Sequence, residues 1–149
     1  MFDKNMLGHS FPPFTFELAQ VKTHELALAI GDKNPIYHDR ESALAAGYQD
    51  VPLPPTTPTI LTFWGNTHMW EQMKSAGLNI TRILHGEEEY EYLAPIRHSD
   101  ILTGIMTIVD GKTRRLKDGS MDIVVVEVHY TNQQNEPVLN VKTMFVVRE

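Results

Sequence analysis

The chain has 149 residues, no cysteine, a formal net charge of −6 and 13 basic residues. Without cysteine there are no disulfides, thiolate metal sites, iron–sulfur clusters or cysteine nucleophiles, and the composition is compatible with a cytoplasmic protein. A single domain of this length buries roughly 70% of the surface its unfolded chain exposes, so a core without covalent staples is expected. The only compact basic group, Lys112, Arg114, Arg115 and Lys117, is expected in a loop. It offers no cationic face for phosphates, which argues against nucleic acid. The longest apolar stretches, such as Ile123-Val124-Val125-Val126, are strand-sized, far below the ~20 residues of a membrane span. The segment MFDKNMLGHSFPPF lacks the basic-then-apolar pattern of a secretory signal, so no membrane association is expected.

In chain order, Phe14 to Leu18 alternates as a short strand. Thr23 is expected to cap a helix over His24 to Ile30 that stops at Gly31. Asp39 is the expected N-cap of a second helix, rich in Ala, that ends before Gly47. Pro52, Pro54, Pro55 and Pro58 impose an extended segment, because each proline pushes its predecessor out of the α region. With Thr57 as cap and Pro58 at its first position, a long helix follows from about Thr59 to Ser75, ending at Gly77. It carries Ile60, Leu61, Phe63, Trp64, Met69, Trp70 and Met73 around most of its circumference and must be largely buried. Strands are expected near His85–Leu93, Ile101–Val109, Met121–Thr131 and Pro137–Arg148, with Asn132 to Asn135 as a polar turn. A buried helix followed by a mostly antiparallel sheet is an α+β arrangement.

The segment Gly31-Asp32-Lys33-Asn34-Pro35-Ile36-Tyr37-His38-Asp39 resembles the Gly-Asp-x-Asn-Pro-hydrophobic-His-x-Asp signature of MaoC-like hydratases and dehydratases. Further stretches resemble the N-terminal-type MaoC dehydratase domain: Ala46-Gly47-Tyr48 with Leu53-Pro54-Pro55-Thr56, His85-Gly86-Glu87 with Tyr90 and Tyr92, Pro95-Ile96, and Ser99 to Thr103. Tyr130-Thr131-Asn132-Gln133 followed by Glu136-Pro137-Val138 also fits, and the resemblance covers roughly positions 14 to 147. The resemblance implies a hot-dog fold in one domain, an antiparallel sheet wrapped around a long central helix. It also implies a (3R)-hydroxyacyl-CoA or -ACP dehydratase, a hydro-lyase of fatty-acid type that needs no cofactor and no metal. Two departures stand out. Tyr37 occupies the family's histidine place, with His38 one residue later, and Pro54-Pro55-Thr56-Thr57 replaces the His-Gly at the start of the central helix. Both resemble members that serve as the non-catalytic partner of an active subunit.

Dehydration of a hydroxyacyl thioester needs a base, an acid and donors for an enolate-like oxygen. On the resemblance, Asp32 and His38 are the expected catalytic pair, with Asn34 holding the loop or a water. Tyr37 is expected as a wall residue. Pro55, Thr56, Thr57, Ile60, Phe63, His85 and Gly86 complete the expected substrate site, with backbone donors at the helix start and an apolar tunnel along it. The bland alternatives are a simple Asp–Asn–Pro turn and an exposed loop histidine. On a regular strand His85, Glu87 and Glu89 would share one side; the run reads better as a charged strand edge than as a metal site. The open sheet edge makes a homodimer, or a heterodimer with a second hot-dog subunit, the expected state. The competing classes are a non-catalytic acyl-thioester-binding protein and, ranked last, a thioesterase, since the only acid of the central helix, Glu71, lies late in it.

Overall fold

The structure is a computed structural model and describes residues 1–148. Its centre is a five-stranded antiparallel sheet in the order β1-β3-β4-β5-β2, built from β1 (Phe14–Glu17), β2 (Ile83–Tyr92), β3 (Ile101–Leu116), β4 (Gly119–Thr131) and β5 (Pro137–Arg148). The α+β expectation holds. Strict alternation makes one face of the sheet the core wall: Leu102, Met106, Ile108, Val124, Val126, Val128, Leu139, Val141, Phe145 and Val147 are all essentially inaccessible. Gly104 lies between Phe14 and Tyr130, whose rings meet edge to face at 5.8 Å. A Cβ at Gly104 would come within 2.7 Å of both rings, so the glycine is what lets the two aromatics approach.

The central helix packs on this wall through Leu61, Met69 and Met73. It is not continuous, as the sequence had suggested. It starts as α3 (Pro58–Ile60), widens to π turns over Leu61–Gly65, breaks at Asn66 and resumes as α4 (Met69–Ser75). The break has a local cause. Asn66 leaves helical geometry, its Oδ1 accepts the His68 N–H, and its Nδ2 donates to Gln72 Oε1 at 2.8 Å. The apolar residues on both sides of Asn66 gave a pattern that hides this interruption. Thr57 is buried but does not cap: its hydroxyl donates to the Pro54 carbonyl at 2.7 Å.

Between β1 and α3 the chain makes an excursion over α1 (Gln20–Ala29) and α2 (Arg40–Ala45). Thr23 is not the cap expected; α1 begins earlier, behind Ala19, and Thr23 is buried inside it. Asp39 does cap α2, accepting the Ser42 N–H at 2.7 Å. The basic group is not in a loop either. Lys112, Arg114 and Arg115 lie on β3, which continues past Val109 because β4 pairs with it to Leu116, and Lys117 opens the turn between them. At the far end of the sheet Asp122, fully buried, accepts the Phe2 N–H at 2.7 Å and the Thr113 hydroxyl, pinning the N-terminal segment.

Candidate functional site

A cleft of about 620 Å³ opens between the end of the excursion and the segment leaving β2. Tyr48, Val51, Leu53 and Pro55 form one wall, and Tyr92, Pro95, Ile96 and His98 the other. The prolines hold the first wall extended, as read from the sequence. The Tyr92 hydroxyl ties the walls together by donating to the Pro55 carbonyl at 2.8 Å. Burial pushes the Tyr92 phenol up to about 12, so it stays a neutral donor. The lining combines apolar residues with Gln49, Asp50, Arg97 and His98, an apolar cleft with a few polar groups at its walls.

The Asp32–His38 segment lies beside this cleft. Tyr37 is the link: its phenol is raised first by burial, then by the nearby Asp32 carboxylate and then by Tyr48, a cleft residue. Asp32 and His38 are close, but not through the carboxylate. His38 Nε2 meets the backbone carbonyl of Asp32 at 2.6 Å, and that oxygen can only accept, so Nε2 carries the proton. In the neutral ring Nδ1 is then the acceptor, and it lies 3.2 Å from Nδ1 of His24. The Asp32 carboxylate accepts the Asn34 N–H at 2.9 Å, and Asn34 accepts the Ile36 N–H at 3.3 Å. Asn34 therefore holds the loop. His24, absent from the expected site, supplies the second contact to His38.

The remaining expected substrate residues divide. Pro55 lines the cleft and Thr56 is exposed outside its lining, whereas Thr57 and Ile60 are buried at the start of the central helix. Phe63 packs edge-on against the rings of His85 and Phe145. His85 and Gly86 sit at a β-bulge that overturns the expected alternation. The register slips between His85 and Glu87, so His85, Glu88 and Tyr90 share the inner face, opposite Phe145, Thr143 and Val141, while Glu87 and Glu89 face outward. Glu88 thus goes inside, its side chain 8% exposed. One of its oxygens accepts the Thr59 hydroxyl at 3.1 Å and the Tyr90 hydroxyl at 2.8 Å. This cluster fastens the start of the central helix to β2. Among the described residues no cluster of three or more His, Asp or Glu side chains is placed to hold a metal ion, and no helix is long and apolar enough to cross a membrane. The sequence signal that was passed over is Gly86 itself, an isolated strand glycine of the kind that marks a bulge.

Comparison with known proteins fits this geometry. A UPF0336 protein of Saccharopolyspora erythraea is 33% identical over 147 residues, 98% of this chain and 91% of that protein. Among solved structures, the (3R)-hydroxyacyl-ACP dehydratase HadBC complex from Mycobacterium tuberculosis contains a similar chain, with a TM-score of 0.78 at 22% identity over 95% of this chain and 96% of that one. The MaoC-like dehydratase from Rhodospirillum rubrum gives a TM-score of 0.70 at 18% identity, covering 100% of this chain and 97% of that one. The fold is therefore the hot-dog fold of the MaoC-like dehydratases. The family model for the FAS1-like dehydratase domain region matches residues 5–141, and the chain belongs to that family.

Proposed function

We propose that this chain is the pocket-forming subunit of a two-chain (3R)-hydroxyacyl-thioester dehydratase, acting on CoA or carrier-protein esters in the cytoplasm. The observation that carries this reading is the state of Asp32 and His38 beside an apolar cleft. Both nitrogens of His38 face partners other than the Asp32 carboxylate, and that carboxylate holds the Asn34 N–H. Such a pair has no free imidazole nitrogen with which to take a proton from water or give one to a leaving hydroxyl. The cleft supplies the acyl site, and a second hot-dog chain supplies the acid and base. In the reaction a base takes the Cα proton, the Cβ–O bond breaks and an acid protonates the departing hydroxyl to water; no atom changes hands with a cofactor, and the reading assigns none.

Support for a second chain comes from the surface. Trp64 is 69% exposed on the central helix, with Trp70 and Leu84 also outside, and β2 forms an open edge of the sheet. A homodimer that works through its own Asp32 and His38 is the competing form, and it requires His38 to leave the Asp32 carbonyl.

The cleft assignment is tested by calorimetric titration of the purified chain with octanoyl-CoA. Binding that disappears in Ile96→Trp, which fills the cleft, while the urea midpoint stays in place, is the expected result. Binding unchanged in Ile96→Trp removes the cleft from the account.

A further inference from the structure

The outer face of the sheet, away from the central helix, breaks the alternation that a solvated antiparallel sheet shows. On β4, Asp122, Val124 and Val126 turn inward and are fully buried, so Met121, Ile123 and Val125 turn outward. The register sets Ile123 beside Val146 and Val125 beside Met144 of β5. These four side chains form an apolar patch in the middle of the outer face, and each keeps part of its surface accessible. We propose that this patch is the centre of an interface with a second copy of the chain, packed sheet to sheet about a two-fold axis.

Charge selects that occupant. On one side of the patch stand Glu87, Glu89 and Glu91, in successive outward positions of β2, with Glu127 on β4. Lys142, between Glu89 and Glu127, offsets one of these charges. On the other side stand Lys112 and Arg114 of β3 and Arg148 of β5. Lys112 and Arg114 point outward because Gly111 and Thr113, which alternate with them, face Phe2 and Asp122 in the core. Arg115 and Lys117 add to this basic end, and Asp110 and Asp118 subtract from it. Among the described residues none of Lys112, Arg114, Arg148, Glu87 and Glu89 makes an ion pair. All five are exposed, so their charges are open to a neighbour.

The register makes the two sides symmetric about the patch. Glu87 shares its row with Met144 and Val125, and Glu89 and Glu127 share the next row outward. Lys112 shares its row with Ile123 and Val146, and Arg114 and Arg148 flank Met121 in the next row the other way. A two-fold axis that lies between two such faces and crosses the strands at the patch packs the four apolar side chains against their copies. The same axis sets the acidic side of each chain on the basic side of the other, twice, as a self-complementary interface requires. Stacked sheets lie ~10 Å apart, a gap that Arg and Glu side chains span together. The acidic side is also hollow: a depression of about 350 Å³ has Glu87, Glu89, Val125, Lys142 and Met144 in its lining. Carboxylates beside apolar side chains suit a guanidinium head and its aliphatic stem. A partner of one charge sign would complement one side of the face and oppose the other, whereas a second copy complements both. The surface differs from the open β2 edge and from the exposed Trp64, so it joins two copies whichever chain pairs at that edge.

The test is a charge swap on the full chain, read by sedimentation equilibrium. The double variant Lys112→Glu with Arg114→Glu sets acid against acid across the axis, and Glu87→Lys with Glu89→Lys sets base against base. Each double variant alone is expected to weaken the wild-type self-association about tenfold or more, with its urea midpoint in place. An equimolar mixture of the two is expected to regain the association, because every acidic side then meets a basic side. A wild-type chain that stays monomeric overturns the proposal, and so does self-association that both variants keep. Variants that dissociate and do not recover on mixing also overturn it, since the altered charges then do not face one another. None of these readouts involves an acyl thioester, so the proposal stands or falls separately from the cleft.

Discussion

The sheet with its central helix and the excursion over α1 and α2 are held by different forces. In the sheet, long ladders place a dozen apolar side chains at or near zero exposure against Leu61, Met69 and Met73. The two helices of the excursion bury only Thr23, Ala27 and Ala43, and Val21, Leu28, Ile30 and Leu44 lie outside. Its order comes from local bonds: the Asp39 cap, the Asp32 and Asn34 side chains folded onto their own loop, and His38 against His24. Segments with few buried contacts open at low free-energy cost. The residues of the Gly31–Asp39 stretch therefore sit on the softer region, and the cleft is walled where that region meets the rigid one.

Substitutions should separate the two regions. Phe145→Ala, in the middle of the sheet wall, is expected to cost about 3–5 kcal/mol in urea unfolding, the usual range for a truncated core aromatic. A loss below about 1 kcal/mol would mean that the wall is not the source of stability. Glu88→Ala comes next, at about 1–3 kcal/mol, because it removes the acceptor that the Thr59 and Tyr90 hydroxyls share; one of them can then donate to the other, and the second loses its acceptor under the central helix. A neutral result there would sharpen the comparison by assigning the helix anchorage to packing alone.

Alkaline titration gives a smaller effect, carried mainly by the tyrosines of β2. Burial pushes Tyr90 and Tyr92 up to about 12. Below the ordinary tyrosine value folded and unfolded chains are both protonated and stability is complete. Between pH 10 and about 12 only the unfolded chain ionises, so stability falls across that window. Tyrosinate absorbance that rises with an ordinary midpoint, with no loss of stability, would contradict this burial. The smallest effect belongs to the excursion. Asp39→Ala should speed amide exchange in α2 and leave the global urea midpoint in place. The Ser42 hydroxyl and N–H hold the Asp39 carboxyl below the usual range. That protection is therefore present at neutral pH and is lost only as the pH falls through the lowered value. A shift of the global midpoint in Asp39→Ala would show the two regions to be one cooperative unit.

What the sequence revealed follows the same division. Alternation and the proline run located all five strands and the extended cleft wall, because burial on one face of a sheet imposes a period that composition reveals. The Gly-Asp-x-Asn-Pro stretch pointed to the family, and the Asp39 cap was legible from residue type. Three features were not. The break at Asn66 depends on side-chain bonds to His68 and Gln72 within an apolar run. The inward turn of Glu88 depends on one extra residue in β2, and a single bulge reverses every later side chain. The cleft joins Tyr48 and Leu53 to Ile96 and His98, residues more than forty positions apart, so no local pattern could group them.

The most direct test follows the enoyl absorbance of 2-octenoyl-CoA near ~260 nm, which is lost when water adds across the double bond. The account predicts no loss with the purified chain alone. It predicts loss when a hot-dog dehydratase chain with an intact Asp–His pair is added, at a rate unaffected by Asp32→Asn in this chain. Loss with this chain alone, abolished by Asp32→Asn and by His38→Ala, would contradict the account and make the excursion a complete catalytic centre.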